Sequence, residues 1–167
     1  MRTAIYAGTF DPITRGHLSV IERSAGLFDR LIVVVAVNPA KEPLFSADER
    51  RAMIEEVTRP WPNVACQTTT GYVVELARAE RARYLVRGVR GATDVEAEIE
   101  LANANHALAP EIETLFVPAH PELSEVSSSR LRALAAAGEE LARYCPPQIE
   151  ARLRARVGRP LAEVARV

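Results

Sequence analysis

Short apolar runs rich in β-branched residues punctuate the chain, and stretches patterned for amphipathic helices lie between them. The runs are Thr3 to Ala7 (TAIYA), Leu31 to Val37 (LIVVVAV), Val64 to Thr68, Tyr84 to Arg87 (YLVR) and Thr114 to Val117 (TLFV). Runs that are apolar throughout, rather than alternating, fit strands covered on both faces. Helical spacing fills the intervals. Leu18, Ile21, Ala25 and Phe28 recur along one side of His17 to Phe28, and a Ser46-Ala47-Asp48-Glu49 capping box opens a second helix that stops before Pro60-Trp61-Pro62. Further helices are expected over Val73 to Arg81, Asp94 to Leu108, Ser128 to Ala137, Glu139 to Tyr144 and Gln148 to Val157.

Parallel neighbours need crossover helices, so this alternation predicts an α/β fold. The expected form is a single-domain, doubly wound, Rossmann-like five-stranded parallel sheet with helices on both faces and a C-terminal helical segment. A length of 167 residues suits one such domain, expected over residues 1–157, with 158–167 as a tail. Net charge is −1, so no global field draws in nucleic acid or an anionic membrane, and an anionic ligand must be held by a local basic cluster. Arg152 to Arg156 (RLRAR) lies among helix formers and reads as a solvated helix face. Cys66 and Cys145 lack metal-type spacing and fit idle thiols. MRTAIYAG has no signal-peptide core and no apolar run approaches the roughly 20 residues that span a bilayer, so a cytoplasmic protein without membrane association is expected.

Ligands of open parallel sheets bind beyond the carboxyl ends of the strands, where strand order reverses. Every unusual segment here follows an apolar run: GTFDPITRGH (Gly8 to His17), NPAKEP (Asn38 to Pro43), TTGYVV (Thr69 to Val74), RGVRG (Arg87 to Gly91) and PAHPELSEVSSSR (Pro118 to Arg130). Gly16-His17 stands where a helix starts, offering unpaired N–H groups, a positive dipole end and an imidazole to a phosphoryl oxygen. Thr9 can turn a hydroxyl toward the same place. The segment is neither GxGxxG nor a Walker A sequence. Arg87 and Arg90, with Gly88 between them, can aim two guanidiniums at phosphate oxygens, or stand solvated in an Arg-rich chain. Ser127-Ser128-Ser129 before a helical stretch offers hydroxyls and amides together, more than a plain N-cap needs. Asp94 and Glu98 share a helix face beside the arginine loop; a solvated acidic face is the simpler meaning, and the alternative is that a Mg·ATP site uses one of them for a ribose or a basic side chain, while His106 and His120 have no ligand-like spacing. Among 21 Lys and Arg residues only Lys41 is lysine. It is either a chance survivor in an Arg-biased chain or a compact, mobile charge that can follow a moving phosphate.

Gly8 to His17 resembles the (T/H)xGH signature of a nucleotidyltransferase superfamily, and its long form GTFDPxTxGH is similar to that of bacterial phosphopantetheine adenylyltransferases. The likeness continues through Lys41 in NPAKEPLF, Arg87 to Arg90, Asp94 to Glu98, Pro110-Glu111 and Val126 to Ser129, and spans roughly residues 3 to 157. The resemblance implies adenylyl transfer from ATP to 4′-phosphopantetheine, giving dephospho-CoA and pyrophosphate, with Mg²⁺ required and a homohexamer as the assembly. It implies catalytic roles for His17, Lys41 and Arg87. The 4′-phosphopantetheine site would use Thr9, Lys41, Val73 and Arg87. The ATP site would use Thr9, Phe10, His17, Gly88, Val89, Arg90, Glu98 and the segment Leu123, Ser124, Glu125, Val126, Ser127, Ser128 and Ser129. Two departures stand out: Leu123-Ser124-Glu125-Val126 lacks the aromatics usual before the serines, and Asn105-His106 replaces a frequent Asn-Arg. The alternatives are a superfamily enzyme with another acceptor, and a non-catalytic adenine-nucleotide or CoA-binding regulator.

Overall fold

The computed structural model describes residues 1–40 and 42–158; Lys41 and the tail from 159 onward lie outside the described residues. Five strands, β1 (Thr3–Gly8), β2 (Arg30–Ala36), β3 (Val64–Thr69), β4 (Tyr84–Val89) and β5 (Glu113–Pro118), form one sheet in the order β3-β2-β1-β4-β5. All four pairings are parallel, and Tyr6 lies opposite Val33 on one side and Val86 on the other. The helices are α1 (Arg15–Ala25), α2 (Ala47–Val57), α3 (Val73–Ala79), α4 (Ala92–Leu108), α5 (Ser128–Ala136) and α6 (Pro147–Val157), with a 3₁₀ turn at Pro121–Leu123. Strand order reverses between β1 and β4, which opens a crevice beyond their carboxyl ends.

The period of two along the central strands sorts the core. Ala4 and Tyr6 of β1 join Leu31, Val33 and Val35 of β2 in a cluster with α1, α2, α5 and α6. Ile5, Ala7, Ile32 and Val34 point the other way, into a cluster with Val74 and Ala77 of α3. Both faces of β1 and β2 are therefore buried, which is why their sequences carry no alternation. Helix α4 is different: none of its described side chains is buried, and Ile99, Leu101 and Leu108 are exposed, as are Leu115 and Phe116 on the edge strand β5.

One expected helix does not form. Glu139 to Tyr144 is a coil ending in a single turn, with the N–H groups of Tyr144 and Cys145 both on the carbonyl of Leu141. The segment is confined between Gly138, at φ 76°, and Pro146-Pro147. Arg15 takes two of its carbonyls, that of Tyr144 through the backbone N–H at 2.8 Å and that of Ala142 through Nε at 2.8 Å. An arginine at the start of α1 thus outcompetes a short helix with nowhere to extend. The Arg152–Arg156 face is also less solvated than expected. Arg152 pairs with Glu56, Arg154 with Glu150, and Arg156 with Glu49 while lying over the Phe45 ring, so α6 is fastened to α2.

Candidate active site

The β1–α1 loop is built around buried groups. Phe10, 1% exposed, takes a left-handed backbone conformation (φ 47°) that an L side chain adopts only when packing insists. Its ring meets Tyr6 edge-on at 5.4 Å and His17 edge-on at 5.0 Å. A Cβ on Gly8 would come within 3.0 Å of that ring, so glycine at this position is what admits Phe10. Asp11-Pro12 is cis.

Thr14 caps α1 and sets the chemistry of His17. The Thr14 hydroxyl accepts the His17 backbone N–H at 3.3 Å, and the Thr14 backbone N–H donates to His17 Nδ1 at 3.1 Å. The Thr14 hydroxyl also lies 3.0 Å from Nδ1. A backbone amide can only donate, so Nδ1 carries a lone pair and the ring proton of the neutral imidazole sits on Nε2. Burial pushes the imidazole pKa down to about 4, with the positive charge of Arg90 a smaller second cause. His17 is a neutral Nε2–H donor throughout the physiological range.

His17 lines a cavity of about 650 Å³ at the β1/β4 switch point. Two helices present their N-termini there. In the first turn of α1, the Arg15 amide goes to Tyr144 and that of His17 to Thr14, while no described residue accepts from Gly16 N–H at the cavity wall. Ser127 caps α5 by accepting the N–H of Arg130 at 3.2 Å, and Ser128 Oγ donates to the carbonyl of Pro12 at 2.8 Å. Ser129 keeps its hydroxyl and amide without a partner among the described residues. The three serines thus divide the work: one caps, one ties α5 to the first loop, and one is left for a ligand.

The guanidiniums at the end of β4 are held by α4. Arg87 donates from Nε and Nη2 to the two carboxylate oxygens of Glu98, and from Nη1 to the carbonyl of Ala7. Arg90 forks onto Asp94 at 2.7 and 3.1 Å, which holds the Asp94 carboxyl below its usual range. The acidic pair that resembled a solvated face in sequence therefore orients both arginines. Gly88 between them admits Val20, whose methyl would lie 3.1 Å from a Cβ there.

Of the residues singled out in sequence, the cavity gathers Thr9, Phe10, His17, Val73, Arg87, Gly88, Val89, Arg90, Glu98, Leu123, Val126 and the three serines. It does not gather Ser124 or Glu125. They line a separate cleft of about 220 Å³ with Arg143 and Tyr144, and Glu125 pairs with Arg130. Lys41 lies outside the described residues. His106 and His120 are exposed. Sequence reasoning missed Tyr6, Asp94 and Leu101 as cavity residues, and gave Thr14 no part in orienting His17. For Thr14 a signal existed, since it sits three residues before His17 at a helix start, the spacing of a capping box.

The arrangement can do one thing well: receive several phosphates. Neutral and cationic donors from the β1–α1 loop, α1, β4 and α5 line a crevice that Leu101, Leu123 and Val126 also line. A cytidylyltransferase-like family model matches residues 5–134. Phosphopantetheine adenylyltransferase of Gloeobacter violaceus is 47% identical over 159 residues, covering 95% of this chain and 99% of that protein. Its counterpart from Heliobacterium modesticaldum is 40% identical over 158 residues, covering 95% and 94%. This chain belongs to the phosphopantetheine adenylyltransferase family. The fold extends further. Nicotinic acid mononucleotide adenylyltransferase of Plasmodium falciparum superposes with a TM-score of 0.65 at 15% identity, covering 93% of this chain and 94% of that one. Members of the family are nucleotidyltransferases, so this chain is an enzyme of that class.

Proposed function

We propose that the protein transfers an adenylyl group from ATP to 4′-phosphopantetheine, giving dephospho-CoA and pyrophosphate in coenzyme A biosynthesis. An oxygen of the acceptor phosphate forms a bond to the α-phosphorus in line with the bridging oxygen to the β-phosphorus; that second bond breaks, and pyrophosphate leaves with its electron pair. The nucleophile already carries negative charge, so no covalent enzyme intermediate and no general base are needed. Catalysis reduces to positioning and to stabilising charge on the equatorial oxygens.

The observation that carries this is the tautomer of His17. A neutral Nε2–H held by two contacts from Thr14 at the mouth of α1 is a fixed donor, costing no reorganisation when charge develops on the α-phosphate. Thr9, Lys41, Val73 and Arg87 take the acceptor phosphate and pantetheine arm. Phe10, Gly88, Val89, Arg90, Glu98, Leu123, Val126, Ser127, Ser128 and Ser129 take ATP, with the Ser129 amide and hydroxyl on the β- and γ-phosphates. Among the described residues no three His, Cys, Asp or Glu side chains form a metal cluster, and Asp94 and Glu98 are committed to arginines. The residues do not fit a resident metal, so Mg²⁺ belongs to the proposal as the partner of the incoming triphosphate.

Homohexamer formation has a surface to use, because exposed apolar side chains on α4 and β5 lie outside both core clusters. A cytoplasmic location belongs to the same proposal; no described helix is long and apolar enough to cross a membrane. A panel of nucleoside triphosphates and phosphorylated acceptors, scored by pyrophosphate release, tests the reading. The expected result is turnover with ATP and 4′-phosphopantetheine well above every other pair. Preferred turnover of a nucleoside monophosphate acceptor would replace it.

A further inference from the structure

The most deeply buried charges near the site have no part in the chemistry above. Asp11, 7% exposed, accepts the backbone N–H of Leu44 at 2.8 Å on Oδ2 and that of Phe45 at 2.9 Å on Oδ1. Arg132 of α5 reaches the Asp11 carbonyl and, at 3.4 Å, Oδ2. Arg50, 2% exposed, sits in α2 without a carboxylate partner among the described ion pairs. It donates from Nη1 to the carbonyl of Thr9 at 2.7 Å and from Nε to that of Ser46 at 3.3 Å. Two bridges therefore run in opposite directions. A carboxylate of the β1–α1 loop grips the backbone that enters α2, and a guanidinium of α2 grips the backbone of the β1–α1 loop.

Burying a guanidinium and a carboxylate is costly, and a core of equal volume could join the same elements with apolar groups. Charged groups add direction, because each bond fixes one backbone atom. The atoms fixed are the Thr9 carbonyl and the Leu44 and Phe45 amides. Leu44 follows Lys41 by three residues in the sequence.

We propose that Asp11 and Arg50 are positioning residues for the acceptor half of the site, locking the segment that carries Lys41 to the loop that carries Thr9 and His17. The inference rests on the acceptor placement proposed above. It makes the clamp specific: α5 reaches Asp11 mainly at its backbone carbonyl through Arg132, a bond that substitution of the Asp11 side chain leaves in place, and no hydrogen bond joins α4 or β4 to Asp11 or Arg50 among the described residues.

Asp11→Asn is near-isosteric and removes one acceptor, setting an amide NH₂ against a backbone N–H. In the full-length enzyme it raises the KM for 4′-phosphopantetheine at least fivefold and lowers kcat, while the KM for ATP stays within twofold. Hydrogen exchange accelerates at Leu44 and Phe45 but not in β1 or β4. Arg50→Lys retains charge but has one nitrogen where two separate carbonyls are held, and gives the same pattern; it decides the matter if Asp11→Asn does not fold. A folded variant with both KM values unchanged, or both raised together, overturns the proposal. Lys41→Ala separates the two readings. If it leaves the acceptor KM unchanged, the acceptor placement is wrong, and the clamp is then judged by the exchange of Leu44 and Phe45 alone. If it raises that KM while Asp11→Asn does not, the placement stands and the clamp is wrong.

Discussion

Arg87 grips Glu98 through Nε and Nη2, at 2.5 and 2.7 Å, and the remaining Nη1 of the same guanidinium holds the carbonyl of Ala7 at 2.8 Å. Three of its five N–H groups are thereby spent and two are left for a ligand. The carboxylate fixes the plane in which those two point. On the proposed placement of the acceptor, Glu98 acts on its phosphate through Arg87, beside any contact with ATP.

Glu98→Gln tests that relationship. The amide keeps one acceptor and loses the charge-assisted fork, so Arg87 gains freedom worth about 1.5 kcal/mol, or roughly tenfold in kcat/KM. The loss is expected chiefly in the acceptor's kcat/KM, read by initial rates at saturating ATP. A loss confined to the KM for ATP would show that Glu98 serves the nucleotide alone and does not act through Arg87.

His17→Ala removes the donor proposed to face the α-phosphate. Loss of one preorganised donor costs about 3 kcal/mol, so kcat is expected to fall on the order of a hundredfold while ATP affinity changes little. Single-turnover rates together with equilibrium binding of ATP measure the two separately. Equal losses in rate and affinity would show that the imidazole only binds.

The same residue makes a prediction about pH. Its folded pKa, pushed down to about 4, lies below the ordinary 6.5, so between those values the unfolded chain binds a proton that the folded one refuses. Stability from this group is complete above pH 6.5 and is lost as the pH falls toward 4. Tm is therefore expected to decline from pH 7 to pH 4.5, and to decline less in His17→Asn, which has no ionisation there. Imidazole NMR shifts that titrate near 6.5 in the native protein would contradict the neutral donor.

Much of this was legible in sequence, and the boundary has a physical meaning. The sheet was, because a strand covered on both faces must be apolar throughout, and Leu31 to Val37 could hardly be anything else. The location of the site was, because the polar loops after the runs fall at one edge of a parallel sheet. Partnerships across space were not. Nothing in the spacing of Asp11 announces that its carboxylate meets amides 33 and 34 residues away, and sequence could offer a basic partner for Glu98 only as an alternative to a solvated face, without naming Arg87. Ser124 and Glu125 lie outside the cavity for a related reason. They share a segment with cavity residues, but the 3₁₀ turn at Pro121–Leu123 leads them into the neighbouring cleft. The expected helix over Glu139 to Tyr144 lost its carbonyls to Arg15, a competitor well over a hundred residues away.

Lys41 is the single ammonium in a chain otherwise supplied with guanidiniums, and that choice can be interrogated directly. Lys41→Arg preserves charge but replaces a compact point donor by a planar fork that prefers fixed bidentate geometry. Turnover is expected to drop at least tenfold with ATP binding intact, measured as pyrophosphate release under saturating substrates. Normal turnover would return Lys41 to a chance survivor of an Arg-rich composition.

The serines at the start of α5 should come apart by property. Ser127→Ala deletes the cap on Arg130 N–H and is expected to cost about 1 kcal/mol of stability, a few degrees of Tm in a domain of this size, with the KM for ATP nearly unchanged. Ser129→Ala touches no described protein bond, so Tm should stay put while the KM for ATP rises several-fold. Ser128→Ala frees the carbonyl of Pro12 and loosens α5 from the loop that holds His17, so both readouts should move, each by less. Calorimetry alongside initial-rate kinetics on the three variants separates the cases, because serines with only structural roles would lower Tm through Ser127 and Ser128 and leave Ser129 silent in both measurements.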